Sequence, residues 1–371
     1  MMRTGRLLKP LLYFILAIIV VASGYSVFVY ASEKPPLDEI ERARIALAEA
    51  KAQLAGKYAG ESLKDAEKYF NQSLEEWQKQ NSIFFVFRNY SLTSDLALKS
   101  YNRAVTAIEE AGKSKNKLRY NAEDRLISLG QRISHFEKYY KNLPLKPATL
   151  MLFNTGKTKY LEARIEFKSD EYINALKLIL KAEENISQAV KQAHLRLAEF
   201  YRDFPVWENN VKAAYQLSKK GQTVFLIDKL KASLTILKSG KEYKTIPVEF
   251  GENWMGDKMM AGDKATPEGI YKVQAKKDRA RTRYYKALLI DYPNREDKKR
   301  YNNLVQAGKI STSTGIGNLI EIHGEGGKGI HWTDGCIAMD NKDMDIVFSQ
   351  SSVNTPVIIV GARQTLEEYL N

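Results

Sequence analysis

Three patterns of hydrophobic and polar residues follow one another along the chain. Positions 11–29 are almost wholly apolar, and no charged residue occurs between Lys9 and Glu33. In residues 37–48 apolar positions then return at spacings of three and four with charges between them, which is typical of an amphipathic helix. Beyond residue 221 the period shortens to about two, which indicates β-strands. The chain therefore divides into an apolar segment, a helical region and a β-rich region.

The apolar segment is long enough to cross a membrane, because a helix rising about 1.5 Å per residue over these positions spans a hydrocarbon core of roughly 30 Å. Arg3, Arg6 and Lys9 precede the segment. The positive-inside rule therefore predicts a cytoplasmic stub at residues 1–10, a membrane anchor at residues 11–31 and export of the remainder. A cleaved signal peptide is the alternative, although the apolar run exceeds the ~7 to 15 residues usual for such signals.

Glycine and proline usage favours helices in the first part of the exported chain. Residues 37–220 contain five glycines and three prolines, whereas residues 221–371 contain fifteen glycines. Amphipathic helical patterns recur at residues 64–74 and 170–180, without a strict period that would name a repeat family. The two prolines of residues 143–147 cannot continue a helix, so we expect them to separate two helical sub-bundles.

Strand-like runs fill the C-terminal part of the chain. Runs at residues 223–228 and 233–237, followed by a third that ends at Phe250, predict an antiparallel meander. Later runs continue the strand count at residues 285–291, 319–323 and 356–360. We therefore predict an α+β multidomain chain, in which an N-terminal transmembrane helix precedes the other domains. These are an α-helical stalk or bundle over residues 32–220, a mostly β domain over residues 221–362, and a C-terminal tail over residues 363–371.

The charge balance narrows the range of partners. The 371 residues carry a formal net charge of +13. An exported basic chain meets anionic lipid head groups and acidic cell-wall polymers, so we predict contact with the membrane and no nucleic-acid partner. A solvated face that keeps the protein soluble explains the same charge equally well.

The chain contains a single cysteine, Cys336. Exported proteins normally keep cysteines in pairs for disulfides, so a lone one is either buried and inert or reactive. Two of the four histidines, His323 and His331, lie within thirteen positions upstream, where a base for the thiol is needed. The sequence has neither a zinc-ligand spacing nor a nucleotide-binding glycine motif, so we predict no metal and no cofactor.

Several short motifs stand in a fixed order around this cysteine. They are Thr266-Pro267-Glu268-Gly269, His323-Gly324 and Trp332-Thr333-Asp334-Gly335-Cys336, followed by Asn341 and Asp343. This order over roughly residues 222–360 resembles the L,D-transpeptidase catalytic domain (YkuD) family, and the Trp-Thr-x-Gly-Cys form is similar to that of Gram-negative periplasmic members. The resemblance implies a β-rich fold with the thiol in a cleft, acting on peptidoglycan stem peptides.

The resemblance also implies a role for each matching residue. Cys336 is the expected nucleophile and His323 the expected base, with its ring fixed by the carbonyl of Gly324. Backbone N–H groups near Gly335 and Cys336 are expected to stabilise the oxyanion. Four neighbouring positions are expected to contact substrate or to hold the turn: Thr333, Trp332, His331 and Asp334.

Two departures from the family pattern leave alternatives open. Asp334 stands where some members have a second histidine, so His331 is an alternative or supporting base. Ala338 stands where many relatives carry an arginine that would bind a substrate carboxylate. Other basic residues are candidates for that contact: Lys264, Arg279, Arg281, Arg283, Arg295 and Arg300.

The function implied by the resemblance is acyl transfer in the periplasm through a Cys336 thioester. Attack by an amine of another stem peptide or of a lipoprotein would form a cross-link, and attack by water would make the enzyme a hydrolytic editor. The expected partners are stem peptides, the inner membrane and a lipoprotein or cell-wall protein bound by the helical region. A non-catalytic cell-wall scaffold is the alternative from another class, and the missing arginine is the feature that supports it.

Overall fold

The structure is a computed structural model that describes residues 8–31, 33–278 and 280–371. Arg3 and Arg6 of the predicted cytoplasmic stub and the carboxylate-binding candidate Arg279 lie outside the described residues. The chain forms two compact units. The first contains Met1–Leu126 and Ala163–Lys177, and the second contains Ile127–Glu162 and Leu178–Asn371.

Helices occupy the chain up to residue 219. They are α1 (Leu8–Ala31), α2 (Leu37–Ala52), α3 (Ala55–Tyr58), α4 (Gly60–Ser82), α5 (Ser91–Tyr139), α6 (Pro147–Lys168), α7 (Tyr172–Phe200) and α8 (Phe204–Lys219). The predicted helices at residues 37–48 and 64–74 are confirmed within α2 and α4. The predicted break at residues 143–147 is confirmed too, because α5 ends at Tyr139 and Pro147 opens α6, a position where its missing N–H is not needed. The prediction that this break separates two helical sub-bundles is wrong, because residues 127–162 on both sides of it belong to the second unit.

The first helix, α1, contains a segment that is long and apolar enough to cross a membrane. The segment is Pro10–Val29, with 20 residues and a mean hydropathy of 2.4, and none of it is buried within the protein. Membrane anchors and N-terminal signal sequences share this length and composition.

Small side chains form the core of the first unit. Ala46 and Ala50 of α2 pack with Ala66 of α4 and Ala104 of α5, and none of the four is more than 5% exposed. The hydroxyl of Ser100, which is fully buried, donates to the carbonyl oxygen of Ala66 at 2.8 Å. Alanine at the contact positions lets helices approach closely, so this region is a packed bundle.

An eight-stranded mixed sheet dominates the second unit. Its strands, with the helices between them, are β1 (Val224–Asp228), β2 (Ser233–Lys238), β3 (Lys241–Pro247), β4 (Gly269–Lys277), β5 (Ala287–Ile290), α9 (Arg295–Gln306), β6 (Glu321–His323), β7 (Ile337–Ala338), α10 (Asn341–Ser349), β8 (Pro356–Val360) and α11 (Leu366–Leu370). The order across the sheet is β3-β2-β1-β8-β4-β5-β6-β7. The predicted α+β architecture is confirmed.

The predicted meander is also confirmed, because β1 pairs antiparallel with β2, and β2 with β3. The central strand β1 is buried along its whole length, as its continuous apolar run requires, and it pairs in parallel with β8. Two strands escaped prediction. β4 carries lysines between its apolar residues, and β7 is only two residues long.

Helix α8 is part of the core of this unit, since it packs on β1 and β8. Its Trp207 is 2% exposed and donates from Nε1 to Oε2 of Glu268 at 2.8 Å. The indole lies so close to Gly361, just beyond β8, that a Cβ atom at residue 361 would overlap it. Trp207 therefore joins α8 to the sheet.

A buried ammonium group holds the segment between β3 and β4. Lys229 has no exposed surface, and its Nζ donates to the carbonyl oxygens of Gly256 and Thr266 and to Oε1 of Glu268. The Thr266 hydroxyl in turn accepts from the amide of Gly251 at 3.3 Å. A buried charge requires such a full set of partners, so Lys229 fixes the backbone around the Thr-Pro-Glu-Gly motif.

The contact between Trp207 and Gly361 predicts the effect of adding one methyl group. We expect Gly361→Ala to lower the free energy of unfolding by about 1–3 kcal/mol, because the new Cβ must displace a packed indole. Urea unfolding of the detergent-solubilised full chain, followed by tryptophan emission, measures this change. Gly315→Ala is the matched control, since open space surrounds that position, and it should change stability by less than about 0.5 kcal/mol. Equal effects of the two substitutions would contradict the packing described.

Candidate active site

The pairing of β6 with β7 places the predicted base and nucleophile on one face of the sheet. The two strands are parallel, with Ile322 opposite Ile337 and His323 opposite Ala338. Successive side chains of a strand point to opposite faces. Cys336, directly before Ile337, therefore lies on the same face as His323, opposite to the face that buries both isoleucines.

Cys336 is a free, half-buried cysteine. Its Sγ donates to the carbonyl oxygen of Leu319 at 3.7 Å. Burial raises the pKa of this thiol, and a backbone hydrogen bond at Glu321 and the charge of Arg283 act in the opposite direction. The resting sulfur is therefore a neutral thiol near pH 7, which loses its proton only to a neighbouring base.

His323 is fully buried, with its two ring nitrogens in different environments. Nδ1 lies 2.6 Å from the carbonyl oxygen of Gly324, so Nδ1 carries the hydrogen and donates it. Nε2 has no hydrogen-bond partner among the residues that the structure describes. Burial lowers the pKa of the ring, which keeps it neutral, so Nε2 presents a free lone pair that can accept a proton.

Two aromatic rings hold the imidazole. Tyr284 stacks on His323 with ring centroids 3.6 Å apart and planes 8° from parallel, and Trp332 meets the ring edge-on at 6.1 Å. The Trp332 indole is itself fixed, because its Nε1 donates to Oε2 of Glu249 at 2.7 Å. The sequence placed Trp332 near the site. It gave no indication of Tyr284, which lies in the connection between β4 and β5.

Two of the three motif glycines, Gly324 and Gly335, are required because other atoms approach them closely. A Cβ at Gly324 would come within 2.5 Å of Oδ1 of Asn341, an atom that accepts from the amide of Glu325. Gly335 has a φ of +125°, which favours glycine, and a Cβ there would come within 2.5 Å of the carbonyl oxygen of Ala265.

Thr333 closes the turn that carries the thiol. Its side chain is buried, and its hydroxyl donates to the carbonyl oxygen of Cys336 at 2.7 Å and accepts from the amide of Gly335 at 3.2 Å. Asp334 is exposed beside the thiol, where its negative charge opposes formation of thiolate. Direct contact of either side chain with a substrate stays a prediction.

His331 is bound to a different part of the domain. Its Nδ1 accepts from the amide of Phe250 at 3.0 Å, and its ring stacks on Phe250 at 5.4 Å and lies 5.7 Å from the Trp254 ring. Burial lowers the pKa of this imidazole as well. Because Nδ1 accepts, the hydrogen of the neutral ring lies on Nε2 and His331 has no free lone pair for the thiol proton, so the geometry favours His323 as the base.

Three of the five described basic candidates for carboxylate binding already have acidic partners. Ala338, at the position of the missing arginine, is fully buried in β7. Lys264 pairs with Glu252 and Arg281 with Asp278. Arg300 pairs with both Asp257 and Asp297, and Arg295 is exposed at the start of α9.

Arg283 is the basic candidate that the structure brings to the thiol. Its guanidinium lies 4.8 Å from the Tyr284 ring centroid and donates from Nη2 to the Tyr284 hydroxyl at 2.6 Å. Its positive charge is one of the influences that lower the pKa of Cys336, against the larger effect of burial. The exposed cation therefore lies beside the ring that covers His323. Among the described residues, no group of three or more metal-binding side chains is arranged for an ion.

The sheet domain has known relatives. Residues 222–359 match the family model of the L,D-transpeptidase catalytic domain, YkuD, which confirms the resemblance carried by the motifs. The Escherichia coli K12 protein named "Putative L,D-transpeptidase YafK" is 30% identical over 133 residues. That similarity covers 36% of this chain and 44% of the relative, so the chain spans less than half of the curated protein that it matches.

Two solved L,D-transpeptidases are similar to a part of the chain. One from Mycobacterium smegmatis is 13% identical, with a TM-score of 0.25, and covers 38% of this chain and 58% of its own. L,D-transpeptidase 1 from Mycobacterium tuberculosis is 13% identical, also with a TM-score of 0.25, and covers 38% of this chain and 62% of its own. Both scores lie below 0.5, so the family assignment of the domain rests on the sequence match.

The raised pKa of the Cys336 thiol predicts a specific pH dependence of alkylation. We expect the rate of reaction of Cys336 with iodoacetamide to keep rising above the ordinary thiol pKa of about 8.5, because burial raises the pKa of this group. Free cysteine under the same conditions is the reference, and Cys336→Ser should take up no label. A plateau of fast alkylation below pH 7 would indicate a stable thiolate–imidazolium pair and contradict the prediction.

Proposed function

We propose that the protein is a cysteine L,D-transpeptidase that acts on peptidoglycan stem peptides through a thioester on Cys336. The observation that carries the proposal is the alternation of side chains along β6 and β7, which puts Cys336 and His323 on the same face of the sheet. In addition, Nδ1 of His323 donates to the Gly324 carbonyl oxygen, and Nε2 has no hydrogen-bond partner among the described residues. Acyl transfer needs a nucleophile, a base and an acceptor that orients the base, and we assign these roles to Cys336, His323 and the Gly324 carbonyl.

In the acylation step, Nε2 of His323 takes the thiol proton as the sulfur attacks a carbonyl carbon. The attacked bond joins the third, L-linked residue of the stem to a terminal D-amino acid. His323 then returns the proton to the departing amine, the C–N bond breaks, and the stem remains on Cys336 as a thioester. The Gly324 carbonyl stabilises the transient imidazolium through Nδ1.

The deacylation step reverses these roles. An acceptor amine gives its proton to His323 as it attacks the thioester carbonyl, and the sulfur leaves and is protonated again. An amine from another stem peptide or from a lipoprotein gives a cross-link. Since the Gly335 amide already donates to Thr333, we assign the Cys336 amide as the oxyanion donor, a contact of about 3–4 kcal/mol in the transition state.

We further propose that Arg283 binds the carboxylate of the terminal D-amino acid. Ala338 cannot make this contact, and Arg283 is the cation whose charge reaches the thiol. Stacking against Tyr284 fixes the guanidinium plane, which favours a carboxylate partner over water.

The remaining chain then serves to place the enzyme. We propose that α1 anchors the protein in the inner membrane, with the catalytic domain in the periplasm. The helical region would hold that domain at a distance from the bilayer or bind a lipoprotein or cell-wall protein. The length and hydropathy of Pro10–Val29 support the anchor.

The proposed reaction predicts a covalent intermediate. Incubation of the detergent-solubilised full chain with purified tetrapeptide muropeptides should add the mass of a stem lacking its last residue to Cys336, and the free D-amino acid should appear. We expect His323→Ala to slow this acylation by about 10²–10⁴-fold, since a positioned general base contributes that much. Intact-protein and product mass spectrometry measure both quantities.

The products separate the possible outcomes. A dimer of stems identifies an amine acceptor, whereas trimmed monomers alone identify water. Cys336→Ser is the control that should give neither product at the wild-type rate. Loss of the D-amino acid at an unchanged rate in Cys336→Ser would reject the proposed nucleophile.

The proposed carboxylate contact predicts a change of substrate preference. The wild-type protein should process stems with a terminal carboxylate at least about tenfold faster than stems with a terminal carboxamide, because a charge-assisted hydrogen bond contributes about 1.5–3 kcal/mol. Arg283→Gln should remove this preference, and Arg283→Lys should restore part of it. Arg281→Gln is the matched control in the same connection, since that side chain pairs with Asp278. A preference retained in Arg283→Gln would refute the assignment.

A further inference from the structure

The turn between α4 and α5 exposes a run of large apolar side chains. Phe84, Phe85, Val86 and Phe87 are 64%, 41%, 47% and 75% exposed. Surface turns are normally built from polar residues and glycine, because both their backbone and their side chains face water. Four adjacent apolar side chains at such a position indicate that something other than water covers them.

Hydrogen bonds on the side of the turn opposite to the exposed rings fix its backbone. Arg88 donates from Nε to the carbonyl oxygen of Ile83 at 2.9 Å and from Nη2 to that of Asn81 at 3.0 Å. The Asn89 amide donates to Oε1 of Gln80 at 3.0 Å, so the chain is tied across the turn. The turn is therefore ordered, but its polar groups are bonded to one another while its apolar side chains face outward, which is the reverse of an ordinary surface turn.

The turn lies against the end of the apolar helix. Phe85 packs edge-on against Phe28 with ring centroids 4.7 Å apart. Phe28 is the last residue but one of the Pro10–Val29 segment, so it marks the depth at which that segment leaves a bilayer. A second link fixes the same junction, because the amide of Tyr90 donates to Oε2 of Glu33 at 2.8 Å.

We propose that the Phe84–Phe87 turn inserts into the interface of the bilayer that α1 crosses, as a second membrane contact of the protein. The proposal rests on the anchor proposed above. Aromatic side chains are favoured at this depth, where rings meet the boundary between head groups and acyl chains. Contact with Phe28 places the turn at the depth of the lipid head groups. A soluble protein partner could bind the turn there only after displacing lipid.

Insertion of the Phe84–Phe87 turn holds the protein at the membrane at two points, α1 and the turn before α5, instead of at α1 alone. A single helix joined to a flexible linker can rotate and tilt, whereas an inserted turn braced by Arg88 removes those motions locally. The head groups recognised are those of a phospholipid bilayer.

Depth-dependent quenching of an introduced indole tests the proposal. The full chain carrying Phe87→Trp is reconstituted into phosphatidylcholine and phosphatidylglycerol vesicles, and its emission is compared with that of the unsubstituted chain to remove the four native tryptophans. We expect phosphatidylcholine brominated near the head group to abolish most of the added emission, and aqueous iodide to quench little of it. Tyr120→Trp is the matched control, because Tyr120 is 60% exposed and lies about 45 Å further along α5. It should be quenched by iodide and not by the brominated lipid.

Each contrary result has a distinct meaning. Quenching of the indole at residue 87 by iodide alone places the turn in water and overturns the proposal. Protection from both quenchers means that a protein surface covers the turn, which also overturns it. Release of the unsubstituted chain from the vesicles by alkaline carbonate overturns the anchor and the inserted turn together.

Discussion

The parallel pairing of β6 with β7 is the constraint on which the site depends, because it decides the face that each functional side chain occupies. A slip of one residue would put Ile322 in the place of His323 and turn the base to the opposite face of the sheet. Two such short strands cannot hold their register alone. The backbone of Glu249 exchanges two hydrogen bonds of 2.8 Å with Ala338, and the amide of Met339 donates to the carbonyl oxygen of His323 at 3.0 Å.

Burial then determines the chemistry of the two groups. Removal from water raises the pKa of the Cys336 thiol and lowers that of the His323 imidazole, so each favours its uncharged form. Such a pair holds little thiolate at rest. The resting site is therefore slow to oxidise, because oxidation of cysteine proceeds through the thiolate.

The motifs predicted which residues meet at the site, and local patterns predicted most of the elements that carry them. The continuous apolar run of β1 and the proline pair before α6 are signals of this local kind. Contacts between distant parts of the chain had no such signal. Tyr284 covers His323 only because β5 and β6 are neighbours in the sheet, and the buried Lys229 reads in the sequence as one more surface lysine.

The same limit applies to residues whose partner decides their role. The sequence left His331 open as an alternative or supporting base, and the hydrogen bond from the Phe250 amide distinguishes it from His323. Arg283 lies in a basic segment where any of several side chains could serve. Its stacking on Tyr284 and its charge beside the thiol separate it from the others.

Trp207 bears on how much of the polypeptide is needed for an autonomous catalytic domain. A fragment cut at residue 222, where the family match begins, would keep every motif and lose the indole that fills the space beside Gly361. Glu268 would lose one of its two buried partners, and the apolar surface that α8 covers on β1 and β8 would be opened to solvent. Proteolysis between α8 and β1 would thus damage the enzyme instead of liberating it.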